Sequence, residues 1–393
     1  MLKRHLEPEL IQMAKEYPVV TLLGPRQAGK TTLVQMAFPD KPYVNMEAPD
    51  ERLLAEDDPQ GFLSRFPKGA IIDEIQRVPQ LLSYIQVLVD KYKKNGFYIL
   101  TGSHQFDLHA HITQSLAGRT ALLNLLPLCF SELPQHKKKY TEDELMLNGF
   151  LPRIYSENQQ PSKAYRNYLQ TYVERDVRLL INLKDLTTFQ KFITLCASRI
   201  GQLINYDSMA SEIGVSNNTI KNWLSILEAS FIVVQLQPYF TNIGKRLIKT
   251  PKLYFVETGL AAYLLGIESL AQMHRDPLRG HLFENMVVME LMKTRFNQGL
   301  DPHLFFYRDQ QKHEVDVVYQ KAHQLIPIEI KSSKTYISAF HKALDYFSSI
   351  FPEQCKEGYV VYAGDQEQPI GWRHLINYQN TARIMTERSK SEK

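Results

Sequence analysis

Short apolar runs alternate with stretches of helical periodicity along the first third of the chain. The apolar runs are YPVVTLLG, GAIIDE and FYILTGS, and the stretches between them include GKTTLVQMAF and LLSYIQVLVDKY. Runs of this length that end in glycine or charge are typical of strands buried on both faces of a parallel sheet. Their alternation with helices predicts an open α/β domain, which we assign to residues 1–135.

The pattern changes at the polar stretch ELPQHKKKYTEDEL, which predicts a domain boundary. Helical spacing then predicts a helical linker or lid at 136–200 and a winged helix-turn-helix at 201–256. In 257–385 the helix FENMVVMELMKTRF precedes the strands FFYRD, EVDVVYQ and LIPIEIKSS, which favours an α+β domain. The polar tail 386–393 is expected to be disordered.

Composition and charge narrow the class of protein. The 393 residues are 44% hydrophobic and 22% charged, and the net charge of +4 is too small to indicate a nucleic-acid binder by itself. Three dispersed cysteines favour a reducing compartment. The N-terminus lacks the apolar core of a signal peptide, and no apolar run approaches the roughly 20 residues that cross a bilayer. We therefore expect a cytoplasmic protein that has no membrane partner.

The segment GPRQAGKTT matches the phosphate-binding pattern GxxxxGK[ST] between a predicted strand and a predicted helix. Glycines let the backbone wrap a phosphate, and the helix N-terminus supplies positive potential. Lys30 is expected to reach the outer phosphates of ATP, and Thr31 to offer its hydroxyl to Mg²⁺. The predicted ATP-binding residues of the loop are Gly24, Pro25, Arg26, Gln27, Ala28, Gly29, Lys30, Thr31 and Thr32.

Two later strand ends carry polar residues that suit nucleotide hydrolysis. AIIDE ends in Asp73, which would hold the metal, and in Glu74, which would act as the base on the attacking water. The alternative is a strand end that carries two solvated acids. FYILTGS ends in Thr101 and Ser103, which either sense the γ-phosphate or only cap the strand.

Arg119 in SLAGRT is a candidate arginine finger, acting in its own subunit or in a neighbouring one. Such a finger contributes on the order of 10³ to 10⁵ in rate. Action on a neighbour would require a homo-oligomer, whereas an ordinary surface salt bridge explains the same residue without any catalytic role.

Taken together, GPRQAGKTT, VNMEAPD, AIIDE, LTGS and SLAGRT resemble a large bacterial and archaeal family of AAA-type ATPases. The resemblance continues through FLPRIY, YVERDV and TPKLYFVETGL. It implies binding and hydrolysis of ATP, and a C-terminal domain similar to the PD-(D/E)XK nuclease fold, which is the restriction-endonuclease-like fold. Glu257 stands where the family is expected to favour aspartate, and it keeps the carboxylate.

The middle segment YDSMASEIGVSNNTIKNWLSILEASFIVVQLQPY has the rhythm of a winged helix-turn-helix, with Gly214 at the turn and Ser216 as the N-cap of the second helix. Exposed asparagines at the start of that helix could pair with adenine in a major groove of DNA. The predicted base-contacting residues are Asn217, Asn218, Lys221 and Asn222. Four cations near the predicted wing would contact DNA phosphates, namely Lys245, Arg246, Lys249 and Lys252. The alternative is a winged helix that packs on the ATPase or on a partner protein without touching DNA.

The C-terminal strands carry a candidate metal site. Side chains two residues apart on a strand share a face, so Glu314 and Asp316 are predicted to point together, with Val315 and Val317 on the opposite face. By the same rule, Glu329 and Lys331 share a face of the next strand.

These residue types suit metal-dependent cleavage of a phosphodiester. Asp316 and Glu329 would bind Mg²⁺, and Lys331 would stabilise charge on the phosphate. Glu284, on the preceding helix, resembles the helix glutamate of the PD-(D/E)XK pattern. The alternative is a solvated sheet face with an ordinary Glu–Lys pair.

The sequence therefore predicts an ATP- and Mg²⁺-dependent protein that binds or processes DNA, with a candidate nuclease site in its C-terminal domain. One alternative is an ATP-driven regulatory switch whose C-terminal domain binds protein or DNA without cutting. Another is an ATPase that binds DNA and does not cut it. The sequence does not distinguish DNA from RNA as the partner.

Overall fold

The computed structural model describes residues 2–103, 115–134, 139–173, 186–239 and 250–386. Their elements form three successive parts: an N-terminal part with a parallel sheet, a mainly helical middle part, and a C-terminal part with a mixed sheet. Within these ranges, none of the helices combines the length and the apolar character needed to span a bilayer. The predicted disordered tail lies outside the described residues from position 387 onward.

The N-terminal part is built on five parallel strands in the order β2-β3-β4-β1-β5. The strands are β1 (Val19–Leu23), β2 (Tyr43–Asn45), β3 (Ala70–Asp73), β4 (Tyr98–Gly102) and β5 (Thr120–Asn124). The helices are α1 (Glu7–Glu16), α2 (Lys30–Ala37), α3 (Pro49–Asp57), α4 (Pro59–Ser64) and α5 (Leu81–Tyr92). Every residue of β1, β3 and β4 is buried, as expected for central strands covered on both faces. The predicted parallel α/β sheet is confirmed.

The middle part consists of short helices and one pair of antiparallel strands. Its helices are α6 (Glu142–Asn148), α7 (Pro152–Ser156), α8 (Pro161–Tyr168), α9 (Leu186–Ser198), α10 (Tyr206–Ile213), α11 (Asn217–Ala229), α12 (Thr258–Leu264) and α13 (Leu270–Arg275). Helix α10 ends at Gly214, whose φ of +79° suits glycine, and Ser216 Oγ caps α11 by accepting from Thr219 N at 3.1 Å. Strands β6 (Val233–Leu236) and β7 (Lys252–Phe255) then pair with each other. Two helices joined by a short turn and a pair of antiparallel strands thus lie within residues 201–256, and the winged helix-turn-helix stays a prediction.

The C-terminal part is a sheet with a helix on each face. Its strands are β8 (Leu304–Arg308), β9 (Glu314–Lys321), β10 (Gln324–Lys331), β11 (Gly358–Tyr362), β12 (Gln368–Ile370) and β13 (Arg373–Asn377). They lie in the order β12-β13-β11-β10-β9-β8, with β10 parallel to β11. Helix α14 (Arg279–Phe296) precedes β8, and α15 (Lys342–Ile350) lies between β10 and β11. The two helices contact the sheet through separate hydrophobic clusters.

Strand β9 departs from the regular alternation that the sequence predicts. Phe305 and Tyr307 of β8 pair with Val318 and Val315 of β9, so β9 contains one extra residue between these pairs. Val315 consequently packs in the cluster around α15, whereas Val317 packs in the cluster around α14. The prediction that these two valines share a face is wrong, because a bulge reverses the side-chain alternation at this point.

Helix α14 joins the three parts through polar side chains that are buried. Both carboxylate oxygens of Glu290 accept from Phe130 N at 3.1 Å, and Lys293 Nζ donates to Leu128 O at 2.9 Å. The Asn285 side chain accepts from Phe255 N at 2.7 Å and donates to Phe255 O at 3.0 Å. Buried charges must be paired to be tolerated, so these contacts fix the helix against both neighbouring parts.

Burial raises the pKa of Glu290 to about 7, and this shift predicts a pH dependence of stability. A carboxyl whose pKa is higher in the folded than in the unfolded state favours folding most at pH values below its unfolded-state pKa. This contribution to the free energy of unfolding is lost as the pH rises through the folded-state pKa. We therefore expect Glu290→Gln to gain stability relative to wild type between pH 5 and pH 8, by about 2 to 3 kcal/mol. Urea unfolding at a series of pH values measures the difference. The exposed Glu353→Gln is the control, and curves for Glu290→Gln and wild type that stay parallel would contradict the prediction.

Candidate functional site

The phosphate-binding loop connects β1 to α2 at the carboxyl edge of the parallel sheet. A side chain at Gly24 would lie 2.1 Å from Leu125 O, and Gly29 has a φ of +91° directly before α2, so both positions require glycine. Gln27 also adopts a positive φ of 61°, and Ala28, the next residue of the loop, is buried. Pro25 and Thr32 complete the predicted set at the loop's start and in the first turn of α2. The chain is therefore shaped as a phosphate cradle.

Lys30 is held inside this loop. Its Nζ donates to Gly24 O and to Pro25 O, both at 2.9 Å, and the residue is buried. Burial lowers the pKa of Lys30, while the carboxylates of Glu74 and Asp73 act in the opposite direction. The ammonium is thus positioned within the loop that would surround the outer phosphates.

Asp73 is the centre of a group of hydroxyls at the end of β3. Its Oδ2 accepts from Thr31 Oγ1 at 2.9 Å and from Tyr43 Oη at 2.7 Å, and its Oδ1 accepts from Thr101 Oγ1. A carboxylate next to a threonine hydroxyl offers the hard oxygen ligands that Mg²⁺ prefers. Thr31 and Asp73, which are each predicted to bind the metal, are hydrogen-bonded to each other, and the contact with Tyr43 was not predicted.

Glu74 follows Asp73 in a left-handed conformation, with a φ of 57° that is unusual for a residue with a side chain. Its carboxylate accepts from Ser103 Oγ at 2.9 Å and from Gln76 Nε2. Burial raises the pKa of Glu74, but Lys30 and Arg26 outweigh it and hold the pKa below its usual value. The residue is therefore ionised at neutral pH and aimed by two donors, of which Gln76 was not predicted.

Two arginines lie at the phosphate-binding loop, and only Arg26 belongs to the set predicted from the sequence. Arg26 pairs with Glu47 at 3.1 Å. Arg4 is buried, and it donates to Ala28 O in the loop at 2.5 Å and to Leu126 O at 2.7 Å. Arg4 lies far from the motif in sequence, so only the fold reveals that it supports the loop.

Arg119 lies away from this site. Its carbonyl accepts from Val19 N at the start of β1, whereas the phosphate loop follows Leu23 at the other end of that strand. The guanidinium pairs with Asp90 at 2.6 Å, and both side chains are partly exposed. Arg119 is therefore not an arginine finger for its own subunit in this arrangement, because the parallel register separates the two ends of the sheet. Action on a neighbouring subunit stays a prediction.

A second polar site lies in the C-terminal part, where the strands bring together three of the predicted residues. Lys331 Nζ lies 2.5 Å from Glu329 Oε1 and 3.8 Å from Asp316 Oδ2. Asp316 Oδ2 also accepts from Ile330 N at 2.8 Å, which fixes it against β10. The predicted convergence of Asp316, Glu329 and Lys331 is thus seen in the structure.

Helix α14 brings Glu284 to the same place. Glu284 Oε1 accepts from Tyr254 Oη at 2.5 Å and lies 3.1 Å from Lys252 Nζ. Burial raises the pKa of Glu284, and the charge on Asp316 raises it further, while Lys252 lowers it. We refer to Glu284, Glu314, Asp316 and Glu329 as the carboxylate cluster.

The carboxylate cluster offers hard oxygen atoms as ligands. Glu329 is buried, and its Oε2 has no hydrogen-bond partner among the described residues. Burial raises the pKa of Glu329 to about 8, and the charge on Asp316 adds to this effect. Burial lowers the pKa of Lys331, but Asp316 and Glu329 outweigh it and hold the pKa above its usual value. Oxygen ligands of this kind suit Mg²⁺ or Mn²⁺.

The predicted DNA-contacting residues on α11 are all exposed, as expected, but their surroundings differ. These residues are Asn217, Asn218, Lys221 and Asn222. Asn217 Nδ2 donates to Asp207, and Lys221 Nζ lies 5.5 Å from the centre of the Tyr206 ring, whereas Asn218 and Asn222 face solvent. Of the four wing cations, Lys245, Arg246 and Lys249 lie outside the described residues.

The expectation for the fourth wing cation is wrong. Lys252 is 2% exposed and pairs with carboxylates of the C-terminal part, so it is not available to a DNA phosphate. The sequence shows the charge of this residue but not its burial.

Three family models match successive stretches of the chain. An AAA domain matches residues 16–134, a domain of unknown function (DUF8612) matches 140–271, and another domain of unknown function (DUF4143) matches 279–380. The first match agrees with the phosphate-binding loop and with the parallel sheet around it.

Two solved structures show a partial likeness. The Walker-type ATPase PABY2304 of Pyrococcus abyssi is similar over 67% of this chain and 96% of its own, at 15% identity and a TM-score of 0.44. DnaA from Aquifex aeolicus, bound to AMPPCP, is similar over 57% of this chain and 86% of its own, at 13% identity and a TM-score of 0.30. Both TM-scores lie below 0.5, and the parallel strand order together with the phosphate-binding loop defines the fold of the N-terminal part.

Relatives extend over almost the whole chain. An uncharacterized protein of Haemophilus influenzae is 23% identical over 82% of this chain and 84% of its own. The uncharacterized proteins Rv2008c of Mycobacterium tuberculosis and Mb2031c of Mycobacterium bovis are each 32% identical over 90% of this chain and 78% of their own. The chain belongs to the same family as these two mycobacterial proteins, and its N-terminal part is an AAA-type P-loop ATPase domain.

Proposed function

We propose that the chain is a Mg²⁺-dependent ATPase that binds DNA and cuts phosphodiester bonds at the carboxylate cluster. The observation that carries the proposal is the convergence of Asp316, Glu329 and Lys331 with the helix residue Glu284. Buried acids cost stability unless they are paired, and groups with strongly shifted pKa values concentrate at functional sites.

In the N-terminal site, the chain's own residues have separable tasks. The loop backbone and Lys30 would hold the outer phosphates, and Thr31 with Asp73 would hold the metal, which neutralises charge on the transferred phosphoryl group. Glu74, kept ionised and oriented by Ser103 and Gln76, would take a proton from the attacking water. These roles are supported by the hydrogen bonds that already join Thr31 to Asp73 and Ser103 to Glu74.

In the C-terminal site, Asp316 and Glu329 would hold a divalent cation, and Glu284 would complete its ligands. Such a cation supplies an acidified water and neutralises charge on the phosphodiester. Lys331, fixed between two carboxylates, would orient the attacking water and stabilise negative charge on the phosphate. The buried Glu329 Oε2, which lacks a partner among the described residues, supports this use of the cluster.

DNA binding is supported by the helix-turn-helix of α10 and α11 followed by the β6–β7 pair. In a winged helix the second helix enters the major groove, and the exposed start of α11 presents Asn218 and Asn222 there. Both asparagines can hydrogen-bond to adenine, so the proposed partner is duplex DNA.

The second candidate is an ATP-driven switch whose carboxylate cluster does not cut. One observation favours it: Lys252 lies inside the cluster and pairs with Glu284 at 3.1 Å and with Glu314 at 2.6 Å. In this second candidate, the pairing of Lys252 with the carboxylate cluster docks the middle part on the C-terminal part, and the cluster has no catalytic role.

The ATPase half is tested by two substitutions in the N-terminal site. Lys30→Ala is expected to lose ATP binding, because it removes the cation that would meet the outer phosphates. Glu74→Gln is expected to keep ATP binding and to lower hydrolysis by about 10² to 10⁴, because the amide cannot accept the proton. Fluorescent-nucleotide titration and phosphate release measure the two effects. The control is Glu51→Gln, which alters only an exposed pair with Arg65; hydrolysis by Glu74→Gln at the wild-type rate would exclude the assigned base.

The nuclease half is tested on supercoiled and linear DNA with Mg²⁺ or Mn²⁺, with and without ATP. Asp316→Asn and Lys331→Ala are expected to lower cleavage at least about a hundredfold, because each removes a group that acts on the reacting phosphate. Glu353→Gln, at an exposed position of the same part, is the control. An absence of cleavage under every condition, with ATP hydrolysis intact, would reject cutting in favour of the switch.

DNA binding is tested by its dependence on salt. Each phosphate contact contributes about 0.9 to the slope of log affinity against log salt concentration, so Lys245→Ala/Arg246→Ala should reduce the slope by about 1.8. Fluorescence anisotropy with a duplex at several salt concentrations gives the slope. The matched control, Lys91→Ala/Lys94→Ala, removes two exposed cations from the N-terminal part. Equal slopes for the two double variants would show that these wing cations do not contact phosphates.

A further inference from the structure

The carboxylate cluster contains a cation that no nuclease role explains. Lys252 Nζ lies 3.1 Å from Glu284 Oε1 and 2.6 Å from Glu314 Oε1, and the residue is 2% exposed. The Lys252 side chain therefore forms a buried ion pair with two acids of the cluster.

This cation and the acids that it meets come from different parts of the molecule. Lys252 is the first residue of β7, in the middle part, whereas Glu284 and Glu314 belong to α14 and β9. Strand β7 is held by its own contacts, since Leu253 N donates to Gln202 O at 3.0 Å and Phe255 N donates to Asn285 Oδ1 at 2.7 Å. The position of Lys252 thus depends on how the β6–β7 pair docks against α14.

Lys252 and a divalent cation would compete for the same carboxylates. Lys252 meets both Glu284 and Glu314, whereas Arg308 meets Glu314 alone, at 2.7 Å. Lys252 is therefore the protein cation that lies at Glu284, one of the acids proposed to hold the metal. With Lys252 in place, Glu284 Oε1 is already shared between an ammonium and the Tyr254 hydroxyl.

We propose that Lys252 is an internal counter-ion that competes with a divalent cation for the carboxylate cluster, so that docking of the β6–β7 pair keeps the site in a state of low metal affinity. The inference rests on the proposed metal site and adds its regulation. Two cations a few ångströms apart repel strongly in a buried setting. By linkage, anything that draws the β6–β7 pair away from α14 strengthens metal binding, and metal binding weakens that docking to the same degree.

Isothermal titration of the full nucleotide-free chain with MnCl₂ tests the inference. The portion of Mn²⁺ binding that Asp316→Asn removes is assigned to the carboxylate cluster. We expect Lys252→Met to bind this Mn²⁺ at least about tenfold more tightly than wild type, which is a modest part of the repulsion between neighbouring buried charges. Arg308→Met is the matched control, because it removes an equal charge from Glu314 but not from Glu284. We expect its affinity to change by less than about threefold, since Glu314 keeps Lys252 as a partner.

The outcomes separate the inference from the function on which it rests. Wild-type affinity in Lys252→Met, or an equal gain in Arg308→Met, would overturn the counter-ion while leaving the Asp316-dependent metal site in place. Mn²⁺ binding that never depends on Asp316 in any variant would overturn the metal site and the counter-ion together.

A charge-matched variant covers the case in which Lys252→Met does not fold, as judged by circular dichroism. Lys252→Met/Glu314→Gln removes one charge of each sign, and such exchanges are tolerated better than the loss of one partner. Its net charge equals that of wild type, so a gain in Mn²⁺ affinity of about tenfold would again identify the position of Lys252 as the cause. An affinity equal to that of wild type would again overturn the counter-ion.

Discussion

The polar groups buried along α14 are the constraint on which the arrangement of the molecule depends. Glu284 meets the middle part, Asn285 meets β7, and Glu290 with Lys293 meets the backbone at 128–130. An unpaired charge at any of these buried positions would lower the stability of the fold by several kcal/mol, so all of the partners must be in place together. The three parts therefore satisfy one another's buried groups, and none of them supplies a complete set alone.

This constraint also joins the two candidate sites physically. Arg4 binds the phosphate loop at Ala28 O and the following strand end at Leu126 O, a short distance along the chain from the residues that meet α14. The same helix then carries Glu284 into the carboxylate cluster. A shift of the loop on binding of a nucleotide would thus act on groups whose hydrogen bonds hold α14, because packed and hydrogen-bonded elements transmit displacement rather than absorb it.

The parts of the structure that the sequence predicts are those fixed by short-range patterns. The phosphate-binding loop and the parallel sheet follow from a motif and from strand ends that meet at one edge, which also brings Thr31 next to Asp73. Contacts between distant segments were not accessible in this way. Arg4 supports the loop from outside the motif, and Tyr43 reaches Asp73 from a neighbouring strand, so neither has a local signal.

Lys252 and Arg119 show why a residue's type does not give its role. From the sequence, Lys252 is predicted to contact a DNA phosphate and Arg119 to act as an arginine finger. The register of β5 against β1 places Arg119 at the edge of the sheet that is remote from the loop. The pairing of β7 with β6 turns Lys252 inward, into a cluster of acids that are distant in sequence. Charge can be read from the sequence, but the direction in which a strand presents it depends on pairing with distant residues.

Two neighbouring acids of β9 have different partners. Glu314 binds the protein cations Arg308 and Lys252, whereas Asp316 meets Ile330 N and Lys331 of β10. The extra residue of β9 lies between the pairs made by Val315 and Val318, so it follows Glu314 and leaves the pairing of Glu314 with Arg308 regular. Glu314 therefore links β9 to the middle part through Lys252, and Asp316 links β9 to β10. The partners of each acid, and not its residue type, decide which of the two connects the parts of the molecule.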